Sequence, residues 1–407
     1  MQLVEKHIIR RGTQAYDRID HLSFLSKNLY NATLYALRQH FFNTEEYLPY
    51  AKLCKQFTEE HNVDYEALPR KVSQQTMRLV DSAMKSFFKS IKEYKEHPEK
   101  FTGRPHLPKY MEKKEGRCCL TFTAQAISKK EMENNGVVVP SGTALRIPTK
   151  LTYSEIACVR IVRKTGAYVV EIVHNNSDVE IKEDNGRYMG IDLGVSNFAT
   201  LTSNVDGFAP IIIRGGTLKS FNRYYNKEMG KLRSILETRN GKETSRKADC
   251  LGLLRENKIT DFLHKASRWI VNQAVSNNIS VIAVGKNTGW KQGANIGRVN
   301  NQNFVQIPYA RFISMLEYKC AMVGIKLVAQ EESYTSKCSF LDMEKICKHE
   351  EYKGRRKHRG LFVSSEGKQI NADVNGSYNI IRKCRPEAFA DGVGAVVVQP
   401  RVIKTLN

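Results

Sequence analysis

The sequence predicts an α+β protein of several domains, in which a small β-barrel with an inserted helical lobe precedes an α/β domain. Three observations support this fold class. Residues 17–97 carry the spacing of amphipathic helices, most clearly at Val72, Thr76, Leu79, Ala83 and Phe87. Short apolar runs bounded by turn residues flank this helical stretch, as in a barrel. From about residue 185, apolar strands alternate with helical segments, which is the α/β pattern.

The composition points to a polyanionic partner. The 407 residues include 64 Lys and Arg against 42 Asp and Glu, a formal charge of +22, and such an excess attracts nucleic acids. No run approaches the roughly 18 apolar residues of a membrane span, and Met1–Lys6 lacks a signal-peptide core. Nine cysteines without paired spacings favour reduced thiols. We expect a cytoplasmic bacterial protein with no membrane partner, associated with the nucleoid when bound to DNA.

The N-terminal part divides into a barrel and its insertion. A β-like start at Leu3–Arg10 precedes the helical lobe, which closes in the turn-rich segment Thr102–Pro108. Further strands are expected at Leu120–Thr123, Val137–Val139, Leu145–Ile147 and within Ala157–His174. The predicted barrel therefore comprises residues 1–16 and 116–182, and the inserted lobe comprises residues 17–115.

The α/β domain is expected to span residues 183–333 and 368–384. Its predicted elements are strands at 188–193 and 197–202, a helix from Thr217, a helix with the apolar stripe Ile259, Leu263, Ala266, Ile270 and Ala274, the strand Val281–Val284, a helix bounded by Pro308 and Gly324, and the strand Lys326–Gln330. Val281–Val284 is apolar throughout, which predicts a central strand. Residues 385–407 show no firm pattern and are expected to form a loosely ordered tail.

Two aspartates occupy positions typical of a catalytic site. Asp192 ends an apolar strand before the turn at Gly194, where α/β sheets present ligand-binding groups. Asp373 lies in the first turn of a predicted helix, where the macrodipole favours an anionic side chain. An alternative interpretation makes Asp373 only a helix cap. Two-metal cleavage of a phosphodiester uses carboxylates from distant segments, so the pair favours a metal-dependent nuclease.

The segments Gly190–Gly194 (GIDLG) and Asn371–Gly376 (NADVNG), with the order of elements between them, resemble the RuvC nuclease domain of TnpB proteins. These are transposon-encoded ancestors of type V CRISPR effectors. The barrel and its insertion resemble that family's wedge and recognition lobes, so the resemblance covers most of residues 1–384. It implies an RNase H-like (RuvC) domain and an RNA-guided DNA endonuclease. Its partners would be a guide RNA from the transposon end and double-stranded DNA, cut beside a short target-adjacent motif.

One position departs from the family pattern. The second catalytic residue of the family is a glutamate at the end of the central strand, where this chain has Gly285. Glu332 follows the neighbouring strand, about 4.8 Å away in a sheet, and Glu331 is expected to face the opposite side. Some TnpB and Fanzor proteins similarly carry a rearranged glutamate just before a Thr-Ser pair, here Thr335-Ser336. The resemblance therefore implies Asp192, Glu332 and Asp373 as catalytic residues and as ligands of two Mg²⁺ ions.

Two other functions remain open. The missing carboxylate at Gly285 would also mark a nuclease-dead relative that binds DNA under RNA guidance and represses transcription. Binding alone, however, requires neither Asp192 nor Asp373. A DNA-strand transferase acting in transposition is a more distant alternative, and it would need no RNA. The sequence leaves the oligomeric state undecided.

Residues 334–367 form a basic insert where TnpB proteins commonly carry two Cys-x-x-Cys pairs. Only Cys338, Cys347, His349 and His358 are available here, without the usual spacing. A zinc site from these four is conceivable, but we expect none. The segment Lys353–Gly360 carries five formal positive charges in eight residues and is expected to be a loop that contacts phosphates, with a merely solvated loop as the alternative. Its candidate nucleic-acid-binding residues are Arg355, Arg356, Lys357 and Arg359.

Two further groups are candidates for nucleic-acid contacts. A basic stripe is expected on the helix after Thr217, with a charge every four residues or about 6 Å: Lys219, Arg223, Lys227 and Lys231. Tyr224 and Tyr225 beside it are candidates for stacking on bases or for packing the helix down. In the helical lobe, Gln74 and Gln75 lie on the helix that approaches the target-adjacent motif in TnpB proteins, and glutamine amides can read base edges.

Overall fold

The structure is a computed structural model that describes residues 1–240, 244–286, 305–358, 360–390, 392 and 397–406. The chain forms two compact units, Met1–Ser177 and Asp178–Asn407. Their boundary lies close to the predicted end of the barrel at residue 182, whereas the finer domain limits stay predictions. None of the described helices is long and apolar enough to cross a lipid bilayer.

The first unit contains the predicted helical lobe and the strands around it. In chain order its elements are β1 (Gln2–Arg10), α1 (Gln14–Thr44), α2 (Tyr50–Glu59), α3 (Val63–Glu66), α4 (Arg70–Glu96), β2 (Leu120–Thr123), α5 (Lys129–Asn135), β3 (Val137–Val138), β4 (Ile147–Pro148), β5 (Ile156–Lys164) and β6 (Ala167–Asn175). The first helix has a clear start signal, because Thr13 Oγ1 accepts a hydrogen bond from the backbone N of Tyr16.

The buried face of α4 differs from the predicted one. Val72 and Thr76 are buried as predicted, but the side chain of Leu79 is 46% exposed. Met77, Val80 and Met84 are buried instead. In this segment apolar residues spaced by three and four positions occur on more than one face of the helix. Tertiary packing therefore decides which face is buried. The hydrogen bond between the hydroxyls of Ser26 and Thr76 (2.9 Å) shows that the observed face packs against α1.

The strands of the first unit form an antiparallel sheet in the order β1-β6-β5-β2, and β3 pairs separately with β4. Along β1 and β6 the register is regular from Gln2 opposite Asn175 to Arg10 opposite Ala167. Within residues 1–177 no backbone pairing joins β1 to β2, which lie at the two edges of this sheet. The strands are therefore where the sequence predicted them, and the wedge barrel stays a prediction.

The second unit has the expected alternation of strands and helices. Its elements are β7 (Tyr188–Leu193), β8 (Asn197–Ser203), β9 (Ile211–Arg214), α6 (Gly216–Asn240), α7 (Arg246–Ser276), β10 (Val281–Gly285), α8 (Tyr309–Ala321), β11 (Lys326–Gln330), β12 (Arg355–His358), β13 (Leu361–Val363), β14 (Gln369–Asn371), α9 (Ala372–Cys384) and β15 (Arg401–Ile403). All five residues of the predicted α7 stripe are buried.

Six of these strands form one mixed sheet in the order β11-β10-β7-β8-β9-β15. The strands β7, β10 and β11 run parallel, and β8 runs antiparallel to β7. Met189, Ile191 and Leu193 of β7 pack into the core that α7 and α8 cover. The opposite face of the sheet carries α9, whose Tyr378 and Ile381 share a core with Tyr188.

The alternation of side chains along a strand explains which residues meet α9. Tyr188, Gly190 and Asp192 have the same parity and therefore face α9. In β10, Ile282 and Val284 belong to the core under α7 and α8, which leaves Gly285 on the α9 face. Asp192 and Gly285 thus lie on one side of the sheet, at the carboxyl ends of adjacent parallel strands.

The insert and the C-terminal segment are more regular than expected. Strands β12 and β13 of the insert form a three-stranded sheet with β14, which follows the insert, in the order β12-β13-β14. The predicted basic loop includes the exposed strand β12. The tail supplies β15, which pairs in parallel with β9. It also supplies the buried Phe389, which packs edge-on against Phe340 and Tyr378. The expected loosely ordered tail is therefore wrong for these parts, because tertiary pairing orders a segment without local signals.

Replacing Gly190 by alanine should destabilise the second unit. An ideal Cβ at Gly190 would lie 2.4 Å from the Ser377 carbonyl oxygen and 2.7 Å from Ile381 Cγ1, so α9 would have to move. We expect a loss of about 1–3 kcal/mol in unfolding free energy, measured by denaturant titration. The control is Gly230→Ala in α6, where a Cβ meets nothing within 4 Å and the change should be neutral or stabilising. Equal stability of the two variants would contradict this packing.

Candidate active site

Asp192 lies at the end of β7 beneath the first turn of α9. Its Oδ2 is 3.0 Å from the position that a Cβ on Gly376 would take, so the helix passes directly over the carboxylate. Burial raises the pKa of Asp192 well above its usual value, and the negative charges of Glu332 and Asp373 raise it further. Arg356 acts in the opposite direction. The negative charges of Glu332 and Asp373 therefore act on the Asp192 carboxylate.

Glu332 fills the space above Gly285. An ideal Cβ at Gly285 would lie 1.9 Å from Glu332 Oε1 and 2.7 Å from its Cδ, so any side chain at position 285 would overlap this carboxylate. The parallel pairing of Gly285 with Gln330 brings the two strand ends together. The structure thus brings Glu332 to the place where the family's second carboxylate is expected.

The neighbouring acid, Glu331, has a different environment. Its carboxylate accepts hydrogen bonds from Lys383 Nζ at 2.5 Å and from Ser333, and these bonds lower its pKa to about 2. Burial raises the pKa of Glu332 to about 7, with a smaller contribution from the charge of Glu331. The two glutamates therefore lie in different surroundings.

Asp373 is not the cap of α9. That role belongs to Asn371, whose Oδ1 accepts from the backbone N of Asp373 at 3.0 Å and of Val374 at 3.3 Å. The carboxylate of Asp373 is held by two other side chains. Asn197 Nδ2 donates to its Oδ2 at 2.6 Å, and Arg356 Nη2 lies 3.4 Å from its Oδ1. The capping alternative for Asp373 is therefore wrong.

A cleft of about 1020 Å³ opens beside Asp373. Asp373, Asn197, Arg214 and Arg356 are among the residues that line it. Both arginines are exposed, so this cleft combines a carboxylate with two guanidinium groups. Such a combination suits a phosphodiester, whose phosphate binds arginine while the carboxylate remains available for a cation.

The residues fit a Mg²⁺ site by their chemistry. Carboxylate oxygens are the donors that Mg²⁺ prefers, and burial, followed by the negative charges of Glu332 and Asp373, raises the pKa of Asp192. Within the described part of the chain, however, no three His, Cys, Asp or Glu side chains already stand close enough to hold a metal ion. Asp373 is instead directed at Asn197 and Arg356, so metal binding requires its Oδ1 to release Arg356.

Comparison with known proteins supports the resemblance. A family model described as "OrfB_IS605, probable transposase" matches residues 167–291, and one described as "Cas12f1-like, TNB domain" matches residues 309–380. The TnpB-like protein ORF457 of Acidianus two-tailed virus is 25% identical over 230 residues, which are 54% of this chain and 48% of that protein. Over these regions the chain is similar to TnpB-like proteins.

Two further similar proteins are CRISPR proteins. The CRISPR-associated endodeoxyribonuclease Cas12f2 of Micrarchaeota archaeon (strain CG1_02_47_40) is 25% identical over 242 residues, 55% of this chain and 42% of that protein. The matched regions thus span less than half of either curated relative. A structure described as "Cryo-EM structure of the Cas12f1-sgRNA-target DNA complex" has a TM-score of 0.52 at 16% identity, covering 89% of this chain and 82% of that chain. This likeness shows a shared fold.

The basic stripe on α6 is only partly available for binding. Arg223 and Lys227 are exposed. Lys219 is half-buried and donates to Ser196 Oγ at 2.8 Å, which ties one end of the stripe to the rim of the cleft. Lys231 is exposed and forms an ion pair with Glu228 at 2.8 Å. The stripe therefore extends along α6 from the cleft outward.

The other predicted contact residues differ in placement. Tyr224 is 57% exposed, whereas the ring of Tyr225 packs against the Arg255 guanidinium. Arg355, Arg356 and Lys357 are exposed on β12, and Arg359 lies outside the described residues.

In the first unit, Gln74 lines a shallow pocket of about 390 Å³ between α2 and α4. Gln75 is half-buried on α4.

The four candidate zinc ligands do not gather into one site among the described residues. Cys338 is buried, and its Sγ donates to the carbonyls of Lys345 and Cys347. Cys347 Sγ lies 3.4 Å from His349 Nε2, and His358 lies on β12. The expectation that the family's structural zinc is missing stays a prediction.

Buried polar side chains that sequence reasoning missed hold the insert in place. Glu344 accepts from the backbone N of Ser339 at 2.7 Å and of Lys353 at 2.9 Å. On α9, Asn375 exchanges hydrogen bonds with Cys338 O and Phe340 N, and Asn379 donates to Thr335 O and Cys338 O. The spacing of four between Asn375 and Asn379 was a usable signal, because it places both amides on one helix face.

The two glutamates should affect stability in opposite ways as pH changes. Because the folded-state pKa of Glu332 is raised to about 7 from 4.5, its ionisation costs stability as pH rises between these values. Glu332→Gln should therefore leave melting unchanged near pH 4 and stabilise the protein above pH 7, by about 3 kcal/mol at most. The measurement is the melting temperature against pH without divalent cations.

Glu331→Gln provides the matched comparison. The pKa of Glu331 is lowered to about 2, so its stabilising effect is present above its ordinary value of 4.5 and lost as pH falls toward 2. This variant should be less stable than the parent at neutral pH and should approach it in acid. The same pH dependence for both variants would contradict the different surroundings of the two carboxylates.

Proposed function

We propose that this protein is an RNA-guided DNA endonuclease of the transposon-associated TnpB type, with Asp192, Glu332 and Asp373 as its catalytic carboxylates. The single observation that carries this proposal is the position of Glu332, whose carboxylate takes the space of a side chain at Gly285. If the chain had simply lost its second carboxylate, nothing would require an acidic side chain to fill the space above Gly285. Here the missing group is replaced from the neighbouring strand.

The fold supports a RuvC-type assignment. Asp192 lies near the carboxyl end of β7, and Glu332 follows the edge strand β11, which is separated from β7 by β10. Asp373 lies in the first turn of α9, which crosses the same face of the sheet. An RNase H-like domain places its acids in this way, at one end of a mixed sheet. The similar Cas12f1 structure shares the overall fold.

The chemistry follows from the residues of the site. Two Mg²⁺ ions bound by Asp192, Glu332 and Asp373 would lower the pKa of water and stabilise the leaving oxygen. Asp192 and Glu332 are both partly buried, and burial is the main cause that raises the pKa of each carboxylate. Arg356 and Arg214 face the cleft and would bind the phosphates that flank the scissile bond.

The proposed partners are a guide RNA from the transposon end and a double-stranded DNA target. The similar Cas12f1 structure is described as a complex with a single guide RNA and target DNA. The formal charge of +22 and the basic stripe on α6 supply the phosphate contacts. Base pairing would select the target sequence, while the protein would read the shape of the duplex and the short adjacent motif. Such a protein would act in the bacterial cytoplasm, at the nucleoid.

Glu332→Ala should abolish cutting. With guide RNA and Mg²⁺, the purified protein should cleave a matched plasmid, and this variant should be slower by on the order of a hundredfold or more, because a metal ligand is lost. Glu331→Ala is the matched control and should stay within a few-fold of the parent, since Glu331 pairs with Lys383. The double substitution Gly285→Glu with Glu332→Ala should regain part of the activity by returning the carboxylate to β10.

Three outcomes of this experiment count against the proposal. Unchanged cutting by Glu332→Ala would remove the residue assignment. A parent protein that binds the matched plasmid without cutting it would favour the guided repressor. Purification without any defined RNA would favour a DNA-strand transferase.

The two exposed charges of the basic stripe should set part of the salt dependence. Arg223→Gln with Lys227→Gln should weaken DNA binding and reduce the slope of log affinity against log salt by about 0.9 for each phosphate that the protein no longer neutralises. Lys265→Gln with Lys368→Gln is the control, because these lysines pair with Asp261 and Glu366 on the surface. Equal slopes for both double variants would show that the stripe does not bind the backbone.

A further inference from the structure

The carboxylate of Asp373 is positioned by a residue that no motif marks. Asn197 opens β8, and its Nδ2 donates to Asp373 Oδ2 at 2.6 Å. The other end of this amide is also engaged, because Arg214 Nη1 donates to Asn197 Oδ1 at 2.8 Å. Arg214, Asn197 and Asp373 therefore form a continuous chain of hydrogen bonds along the wall of the cleft.

The strand pairing explains why these side chains meet. Asn197 and Arg214 are direct cross-strand partners of β8 and β9, at the point where the register between the strands shifts. The turn that leads into β8 packs tightly here: an ideal Cβ on Gly215 would lie 2.4 Å from the carbonyl oxygen of Val195. The backbone on both sides of the pair is thus held in place.

The chemistry of the three groups allows only one orientation of the amide. Arginine has donors and no acceptor, and an ionised carboxylate has acceptors and no donor. Asn197 can therefore join them only with its oxygen toward Arg214 and its nitrogen toward Asp373. Arg214 sets the orientation of the amide, and the amide in turn fixes Asp373 Oδ2.

We infer that Asn197 and Arg214 form a positioning relay for Asp373, holding Oδ2 so that Oδ1 can exchange Arg356 for a metal ion. This inference rests on the proposed function, because it presumes that Asp373 is a metal ligand. Without the relay, both oxygens of Asp373 become free to pair with the Arg356 guanidinium, a bidentate geometry that arginine and carboxylate favour. Neither Asn197 nor Arg214 is required to contact the substrate for this role.

The test measures Mn²⁺ binding to the purified full chain, without guide or DNA, from the electron paramagnetic resonance signal of free Mn²⁺. Asn197→Ala should weaken binding by about tenfold, the usual effect of losing a group that orients a metal ligand. Arg214→Ala should weaken it by a similar factor, and Arg214→Lys should restore most of it. Because both residues act through one path, the double alanine variant should bind no more weakly than Asn197→Ala alone.

Asn204→Ala is the matched control. Asn204 follows the opposite end of β8 and also uses both ends of its amide, accepting from Tyr188 N and donating to Gly186 O. Its loss should lower the melting temperature without changing Mn²⁺ affinity. Additive effects of the Asn197 and Arg214 variants, or an Asn204 variant as weak in Mn²⁺ binding as Asn197→Ala, would overturn the relay.

Asp373→Ala distinguishes a failure of the positioning relay from a failure of the metal assignment. If Asp373→Ala weakens Mn²⁺ binding while Asn197→Ala does not, the relay is wrong and the metal assignment stands. If Asp373→Ala leaves Mn²⁺ binding unchanged, the metal assignment fails and the relay fails with it.

Discussion

The close approach of α9 to the sheet is the constraint on which the site depends. At Gly190 the backbone of the helix takes the place of a side chain, since the Ser377 carbonyl would lie 2.4 Å from a Cβ there. The same approach brings the backbone of Gly376 over the Asp192 carboxylate, and at the end of β10 the missing side chain of Gly285 makes room for Glu332. The missing side chains of Gly376 and Gly285 thus leave room for the carboxylates of Asp192 and Glu332.

The insert belongs to the same construction, because α9 also carries its anchors. Asn375 and Asn379 are fully buried, and their amides hold the backbone around Cys338. Glu344 then connects the turn after Ser339 to Lys353, just before β12. Hydrogen bonds to buried groups are costly to break, so this network fixes the start of β12. It thereby fixes Arg356, which reaches Asp373 from that strand.

Local periodicity and continuous apolar runs were sufficient to predict most elements of the second unit. The errors have a common physical origin in tertiary contacts. Leu79 satisfies the helical spacing but lies outside the face that packs on α1. Strand β15 has no pattern of its own and is ordered by pairing with β9. Asn197 and Arg214 become partners only through strand register, which a sequence without its folded sheet does not display.

The negative charges of the site explain why Arg356 lies beside Asp373. Two partly buried carboxylates of raised pKa, with Asp373 nearby, repel one another. The guanidinium of Arg356, which reaches Asp373 from the exposed strand β12, reduces this repulsion. A divalent cation would reduce it more strongly, because its charge is double and its ligands converge. If Asp373 binds a metal ion, Arg356 and the ion would compete for the same oxygen, and the displaced arginine would remain in the cleft to contact a phosphate.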